Sequence, residues 1–221
     1  RLNPALARLI AGHVFLHACM AGMRMAAPLL ALRQGHSAAA VGVLLALFAL
    51  TQVFLALPAG RYADRHGLKR PVGIAVVMAC AGAGLSLIFP VFSVMCLSAL
   101  MTGGATGLAI IALQRHVGRA AHDTTQLRQV FSWLAIGPAV SNFIGPFFAG
   151  LMIDHAGSTA GSTEGYRAAF ALLAVLPLAT WFWVRHTEEL PPVIAAAGGP
   201  PARPCTRLAE PFHVNVCSRG D

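Results

Sequence analysis

The chain has 221 residues, of which 57% are hydrophobic and 11% are charged. Soluble globular domains carry roughly 25% charged residues, so this composition excludes an ordinary soluble domain. The formal net charge of +8 comes from 16 Lys and Arg residues against 8 Asp and Glu residues. Because these bases lie between long apolar blocks, they indicate membrane topology and not a nucleic-acid partner.

Apolar blocks of about twenty residues, the length that spans the hydrocarbon core of a bilayer, follow one another along the chain. They predict six transmembrane helices, at residues 9–32, 41–60, 72–90, 93–114, 130–152 and 168–184. The predicted fold is therefore an all-α, polytopic membrane bundle over residues 1–185. Three helices followed by three also permit the inverted repeat that is common in transporters.

The Lys and Arg residues of the predicted loops are distributed unequally. One side of the membrane would carry ten of them and the other side only Arg33 and Arg167. Since cytoplasmic loops carry the excess of bases, both termini are predicted to be cytoplasmic. Residues 186–221 hold six of the fourteen prolines and no apolar span, which predicts a disordered or aberrant cytoplasmic tail. Abundant alanine, with Lys69 as the sole lysine, favours a bacterial source and the inner membrane.

The first predicted span contains three ionisable side chains, His13, His17 and Arg24. At about 100° per residue, His17 and Arg24 lie about 40° and 20° around the helix axis from His13. Because charged arginine is costly in lipid, this shared face should line the bundle interior or a wet cavity, which predicts a substrate or proton pathway. The alternative is that Arg24 anchors a helix end and the histidines satisfy buried polar groups.

Two amides, Gln52 and Asn142, are further candidates for this pathway, with hydrogen bonding to neighbouring helices as the alternative. No Asp or Glu lies inside a predicted span. If a proton is carried here, His13 or His17 is the group that titrates near neutral pH.

The segment after the second predicted span reads Gly-Arg-Tyr-Ala-Asp-Arg-His-Gly-Leu-Lys-Arg over residues 60–70. Its glycines permit a tight turn, and the Asp64 carboxylate is suited to accept from N–H groups at a helix N-terminus. The segment resembles the signature G-x-L-A-D-R-x-G-R-[KR] of the major facilitator superfamily, from which Tyr62 and Leu68 depart. The resemblance implies a conformational-switch loop that includes Gly60, Asp64, Arg65, Gly67, Lys69 and Arg70.

The fifth predicted span resembles the antiporter-associated motif of the same superfamily, G-x-x-x-G-P-x-x-G-G, with Ser141 and Ala149 in place of glycines. Small residues at steps of four let another helix approach closely, and prolines permit bending. Helix packing and an antiporter-specific role are both open interpretations. The residues assigned to this motif are Gly137, Pro138, Ser141, Gly145, Pro146 and Gly150.

The resemblance covers residues of about 9–185 and corresponds to the N-terminal six-helix half of a major facilitator. It implies a secondary transporter rather than an enzyme, moving a small organic solute by alternating access, as an exporter or with proton coupling, without cofactor or metal. Its partners would be the bilayer, the solute, and a missing C-terminal half or a second copy. We expect a truncated chain; the alternative is a non-transporting membrane remnant or an accessory half-subunit.

Overall fold

The computed structural model describes residues 4–120, 124–156 and 163–186. These ranges form six helices: α1 (Pro4–Arg33), α2 (Ala38–His66), α3 (Lys69–Ile88), α4 (Phe92–Ala120), α5 (Thr124–Ala156) and α6 (Glu164–Val184). All six are long and apolar enough to cross a membrane, and the described ranges contain no strand. The prediction of an all-α, six-helix membrane bundle is confirmed. The predicted tail, residues 186–221, lies outside the described residues except for His186.

Several helices extend past the apolar blocks that predicted them. The second block ends at residue 60, whereas α2 continues to His66, and the fifth block starts at residue 130, whereas α5 begins at Thr124. A hydropathy window detects only the part of a helix that crosses the hydrocarbon, so polar terminal turns are missed. The expectation of a loop over residues 60–70 is therefore wrong for most of that segment, where only Gly67 and Leu68 lie between helices.

The turn between α2 and α3 is set by Gly67. Its φ of 74° is a conformation that residues with a Cβ rarely adopt, and its N–H donates to the Ala63 carbonyl oxygen at 3.0 Å. The glycine ends α2 and lets α3 begin within two residues.

The helix contacts show an internal repeat, in which α1, α2 and α3 correspond to α4, α5 and α6. The α1–α5 contact matches the α4–α2 contact, and the α1–α6 contact matches the α4–α3 contact. Because consecutive helices run in opposite directions, α1 and α4 are oppositely oriented. This arrangement is that of an inverted repeat.

The contact between α1 and α5 is a close backbone approach along the small-residue stripe of α5. A β-carbon on Gly145 would collide with the Ala18 carbonyl group and lie 2.8 Å from the Gly22 nitrogen. One turn earlier, the Ser141 hydroxyl lies 3.0 Å from the Val14 carbonyl oxygen and 2.7 Å from that of Gly137, and it can donate to either. The stripe therefore packs one helix against the other, as close-packing residues do in membranes.

The corresponding contact between α2 and α4 is equally close. A β-carbon on Gly103 would collide with the backbone of Phe48. On the other side of α4, the Ser98 hydroxyl donates to the Gly82 carbonyl oxygen of α3 at 2.5 Å and accepts from Ser86 at 2.7 Å. In both three-helix units of the repeat, glycines and small hydroxyl residues let the helices approach closely.

Burial differs strongly among the helices. In the apolar stretch of α1, 67% of the residues are buried, against 17% in that of α2 and 22% in that of α5. The first helix is thus enclosed by its neighbours, whereas α2 and α5 each present a broad apolar face to the surroundings. Exposed apolar faces are compatible with a lipid environment.

We expect Gly145→Ala to destabilise the detergent-purified chain, because the new methyl group must push α1 away from α5. Overpacking of this kind typically costs about 1–3 kcal/mol. The matched control is Gly84→Ala in α3, where a β-carbon would meet no atom within 4 Å, so the higher helix propensity of alanine should leave stability unchanged or slightly raised. Thermal unfolding followed by circular dichroism measures both variants. Equal midpoints for the two variants would contradict this assignment of the helix contact.

Candidate functional site

The polar residues of α1 do not share one environment. His13 is buried, with 5% of its surface exposed, His17 is half-buried, and Arg24 is exposed. The two imidazole rings lie close together, with centroids 5.8 Å apart. The structure thus brings the two histidines together as a pair, while Arg24 lies on the surface of the bundle.

His13 borders a small cavity at the junction of α1, α3, α4 and α6. The cavity has a volume of about 10 Å³, roughly that of a single water probe. Its walls are mainly apolar, and Thr180 contributes a hydroxyl that donates to the Gly12 carbonyl oxygen at 2.7 Å. Neither ring nitrogen of His13, nor Nδ1 of His17, has a hydrogen-bond partner among the described residues.

The alternative prediction was that the histidines form hydrogen bonds with buried polar groups. The described contacts of His13 include no such hydrogen bond and do not support this alternative. The described ranges also contain no group of three or more His, Cys, Asp or Glu side chains placed to hold a metal ion. The pair offers imidazole nitrogens that can accept or donate a proton or a hydrogen bond, and those of His13 are buried beside a mainly apolar cavity.

Arg24 lies near the middle of the predicted membrane. It is nine residues from the end of α1 at Arg33, about 14 Å along the axis at 1.5 Å per residue, and half of the hydrocarbon core is about 15 Å thick. Gly22, about 160° away around the axis, packs against Gly145 of α5 and Leu173 of α6. Arg24 consequently points away from these two helices.

The two candidate amides occupy different positions. Gln52 is half-buried and packs against α4, where a β-carbon on Gly107 would lie 3.3 Å from Gln52 Cγ. Asn142 is exposed on α5, next to the small-residue stripe that contacts α1. Gln52 thus takes part in helix packing, whereas Asn142 is available at the bundle surface.

The superfamily-like segment after the second span forms an ion pair with α4. The guanidinium of Arg115 donates to the carboxylate of Asp64, and the two side chains are 46% and 38% exposed. A β-carbon on Gly60 would lie 2.7 Å from Arg115 Nη2, so the glycine makes room for this cation. An ion pair this exposed contributes about 0–1 kcal/mol to the free energy of unfolding. Its main effect is to connect the C-terminal ends of α2 and α4.

Sequence reasoning did not identify Arg115 as the partner of Asp64. Arg115 is one of the bases that predict the orientation of the helices in the membrane. Its contact with Asp64 joins two residues that are 51 positions apart, and no local pattern in the sequence indicates such a pair. Of the other basic residues of the segment, Arg65 and Arg70 are exposed and Lys69 is half-buried.

Two comparisons with known proteins bear on this arrangement. A sequence profile of the family described as Major Facilitator Superfamily matches residues 9–216. The chain is also similar to the class B tetracycline resistance protein of Escherichia coli, with 33% identity over 154 residues. That alignment covers 67% of this chain and 35% of the relative, so the matched region spans about a third of the relative's length.

Replacing His13 with leucine tests whether the buried imidazole has a structural purpose. Since its nitrogens have no partner among the described residues, removing them should leave the thermal unfolding midpoint unchanged or raise it. The matched variant is Thr180→Val, which removes a hydroxyl that is bonded to Gly12 and should lower the midpoint. A larger loss for His13→Leu than for Thr180→Val would show that His13 stabilises the bundle.

Proposed function

We propose, since this chain belongs to the major facilitator superfamily, that it forms the N-terminal six-helix half of a secondary transporter. In this proposal the complete transporter moves a small organic solute across the membrane by alternating access. The supporting observation is the exposed Arg24 within the membrane-spanning part of α1, on a bundle that exposes many large apolar side chains.

A charged guanidinium near the midplane is costly when it faces lipid and is tolerated when it faces a water-filled cavity. Substrate sites of transporters lie near the midplane, between two structural repeats. A second six-helix unit, either a C-terminal half or a second copy, would cover Arg24 and enclose such a cavity. The solute is then expected to present an anionic or hydrogen-bond-accepting group to Arg24, with Asn142 as a second polar contact.

The histidine pair is the candidate for proton coupling. His13 and His17 lie on the same helix as Arg24. Both ring nitrogens of His13 and Nδ1 of His17 have no hydrogen-bond partner among the described residues, and His13 borders a mainly apolar cavity. Charge changes on His17 would be felt at Arg24, which lies about 10 Å further along the same face of α1, a distance over which two charges still interact. We therefore assign any coupled proton to this pair.

The ion pair between Asp64 and Arg115 is the candidate conformational switch. It joins the end of α2 to the end of α4 on one side of the membrane, and its modest strength permits it to break and re-form. We assign that side to the cytoplasm of a bacterium, with both termini there and the helices in the inner membrane. The proposal requires no cofactor and no enzymatic step.

The experiment uses everted membrane vesicles from cells that produce the chain, with tetracycline as the probe because of the similarity to a tetracycline resistance protein. We expect energy-dependent accumulation above that of vesicles without the chain. Arg24→Gln should reduce the rate by about tenfold, the effect of losing one charge-assisted contact, and Arg24→Lys should restore part of it. Asp64→Asn should slow the rate at unchanged membrane abundance.

The control for these variants is Arg8→Gln, which changes an exposed arginine near the start of α1 and should have no effect. Transport that survives Arg24→Gln unchanged would overturn the role of Arg24. No accumulation with the unaltered chain would overturn its transport of tetracycline in this form and favour the accessory half-subunit or the membrane remnant.

A further inference from the structure

A large open groove lies on the opposite side of α3 from the cavity at His13. The groove, between α3 and α6 near the end of α2, has a volume of about 490 Å³. We call it the α3–α6 groove. It is lined by Tyr62, Lys69, Arg70, Gly73, Ile74, Val77, Met78 and Trp181.

The lining of this groove changes from basic to apolar along α3. Lys69 and Arg70 lie at the first turn of the helix, and Ile74, Val77 and Met78 follow at helical spacing. From Arg70 to Met78 the helix rises about 12 Å. Val77 is 68% exposed, so the apolar wall is open to the surroundings of the bundle.

Gly73 and Trp181 give the groove its depth. A β-carbon on Gly73 would lie 3.1 Å from Trp181 Cζ3, so a larger residue would fill the space between α3 and the indole. Tyr62 contributes its ring from α2, where it is stacked on His66 with centroids 4.2 Å apart. Aromatic side chains at this level match the interfacial zone of a bilayer.

We propose that the α3–α6 groove is a binding site for an anionic phospholipid. The phosphate group lies against Arg70 and Lys69, and one acyl chain follows Ile74, Val77 and Met78 beneath the Trp181 ring. Charge complementarity selects the occupant, because a basic mouth above an apolar wall matches an anionic headgroup above its hydrocarbon chain. Basic pockets between transmembrane helices bind anionic headgroups in this way. The site is separate from the polar residues of α1, and it does not rest on the proposed transport function.

The experiment measures quenching of Trp181 fluorescence by lipids with brominated acyl chains. Trp133 and Trp183 are replaced with Phe in the full chain, so that Trp181 is the single tryptophan. The protein is reconstituted in phosphatidylcholine vesicles that contain an equal fraction of either brominated phosphatidylglycerol or brominated phosphatidylcholine. We expect phosphatidylglycerol to bind about fivefold more tightly, the preference that one basic residue near the surface provides.

Arg70→Gln should reduce this preference, because Lys69 remains as the second base of the groove, and Arg70→Lys should restore it, since lysine keeps the charge. Gly73→Leu keeps both bases but fills the groove, and it should lower quenching by both lipids. The control is Arg8→Gln, an exposed base outside the groove, which should leave the preference unchanged. Equal quenching by the two lipids in the single-tryptophan chain would overturn the proposal. An equal loss of preference in Arg8→Gln and Arg70→Gln would also overturn it, because the attraction would then be general to the surface.

Discussion

The close backbone approach of α5 to α1 is the contact on which the rest of the structure depends. In lipid, helices gain little from hiding apolar side chains from one another, so association relies on van der Waals contact and interhelical hydrogen bonds. Gly145 lets the backbone of α5 reach Ala18 and Gly22, and Ser141 can donate across the same contact. The corresponding contact of Gly103 with Phe48 holds α4 against α2. In both halves of the inverted repeat, a glycine therefore allows the close approach of two helix backbones.

These contacts decide which residues meet and which remain at the surface. Because Gly22 faces α5 and α6, Arg24 points outward near the midplane. His13, one to two turns from the N-terminal end of the apolar part of α1, instead borders the cavity between α3, α4 and α6. A membrane protein with an exposed mid-membrane arginine needs water or a second protein surface at that position. The proposed pairing with another six-helix unit follows from this requirement.

The sequence predicted the six helices and the packing stripe of α5 because each depends on local spacing. Apolar length identifies a span, and small residues at steps of four identify a close-packing face. Sequence reasoning failed where contacts join distant segments. It gave Asp64 no partner on α4, it treated residues 60–66 as a loop although they end α2, and it did not separate the buried His13 from the exposed Arg24. The α3–α6 groove was also not foreseen, since Trp181 meets Gly73 only after the bundle folds.

If Arg24 faces an aqueous path in the assembled protein, a cysteine at this position reacts with reagents that are confined to water. Arg24→Cys is compared with Val175→Cys, a control on α6 whose side chain is 61% exposed and which we expect to face lipid. Each substitution is introduced into a chain without other cysteines, which is reconstituted in vesicles. A membrane-impermeant methanethiosulfonate reagent reacts with the thiolate, which forms in water and not in lipid. We expect Arg24→Cys to react at least about tenfold faster than Val175→Cys, a difference that corresponds to about 1.4 kcal/mol. Equally slow reaction at the two positions would place residue 24 in lipid and overturn the proposed aqueous path.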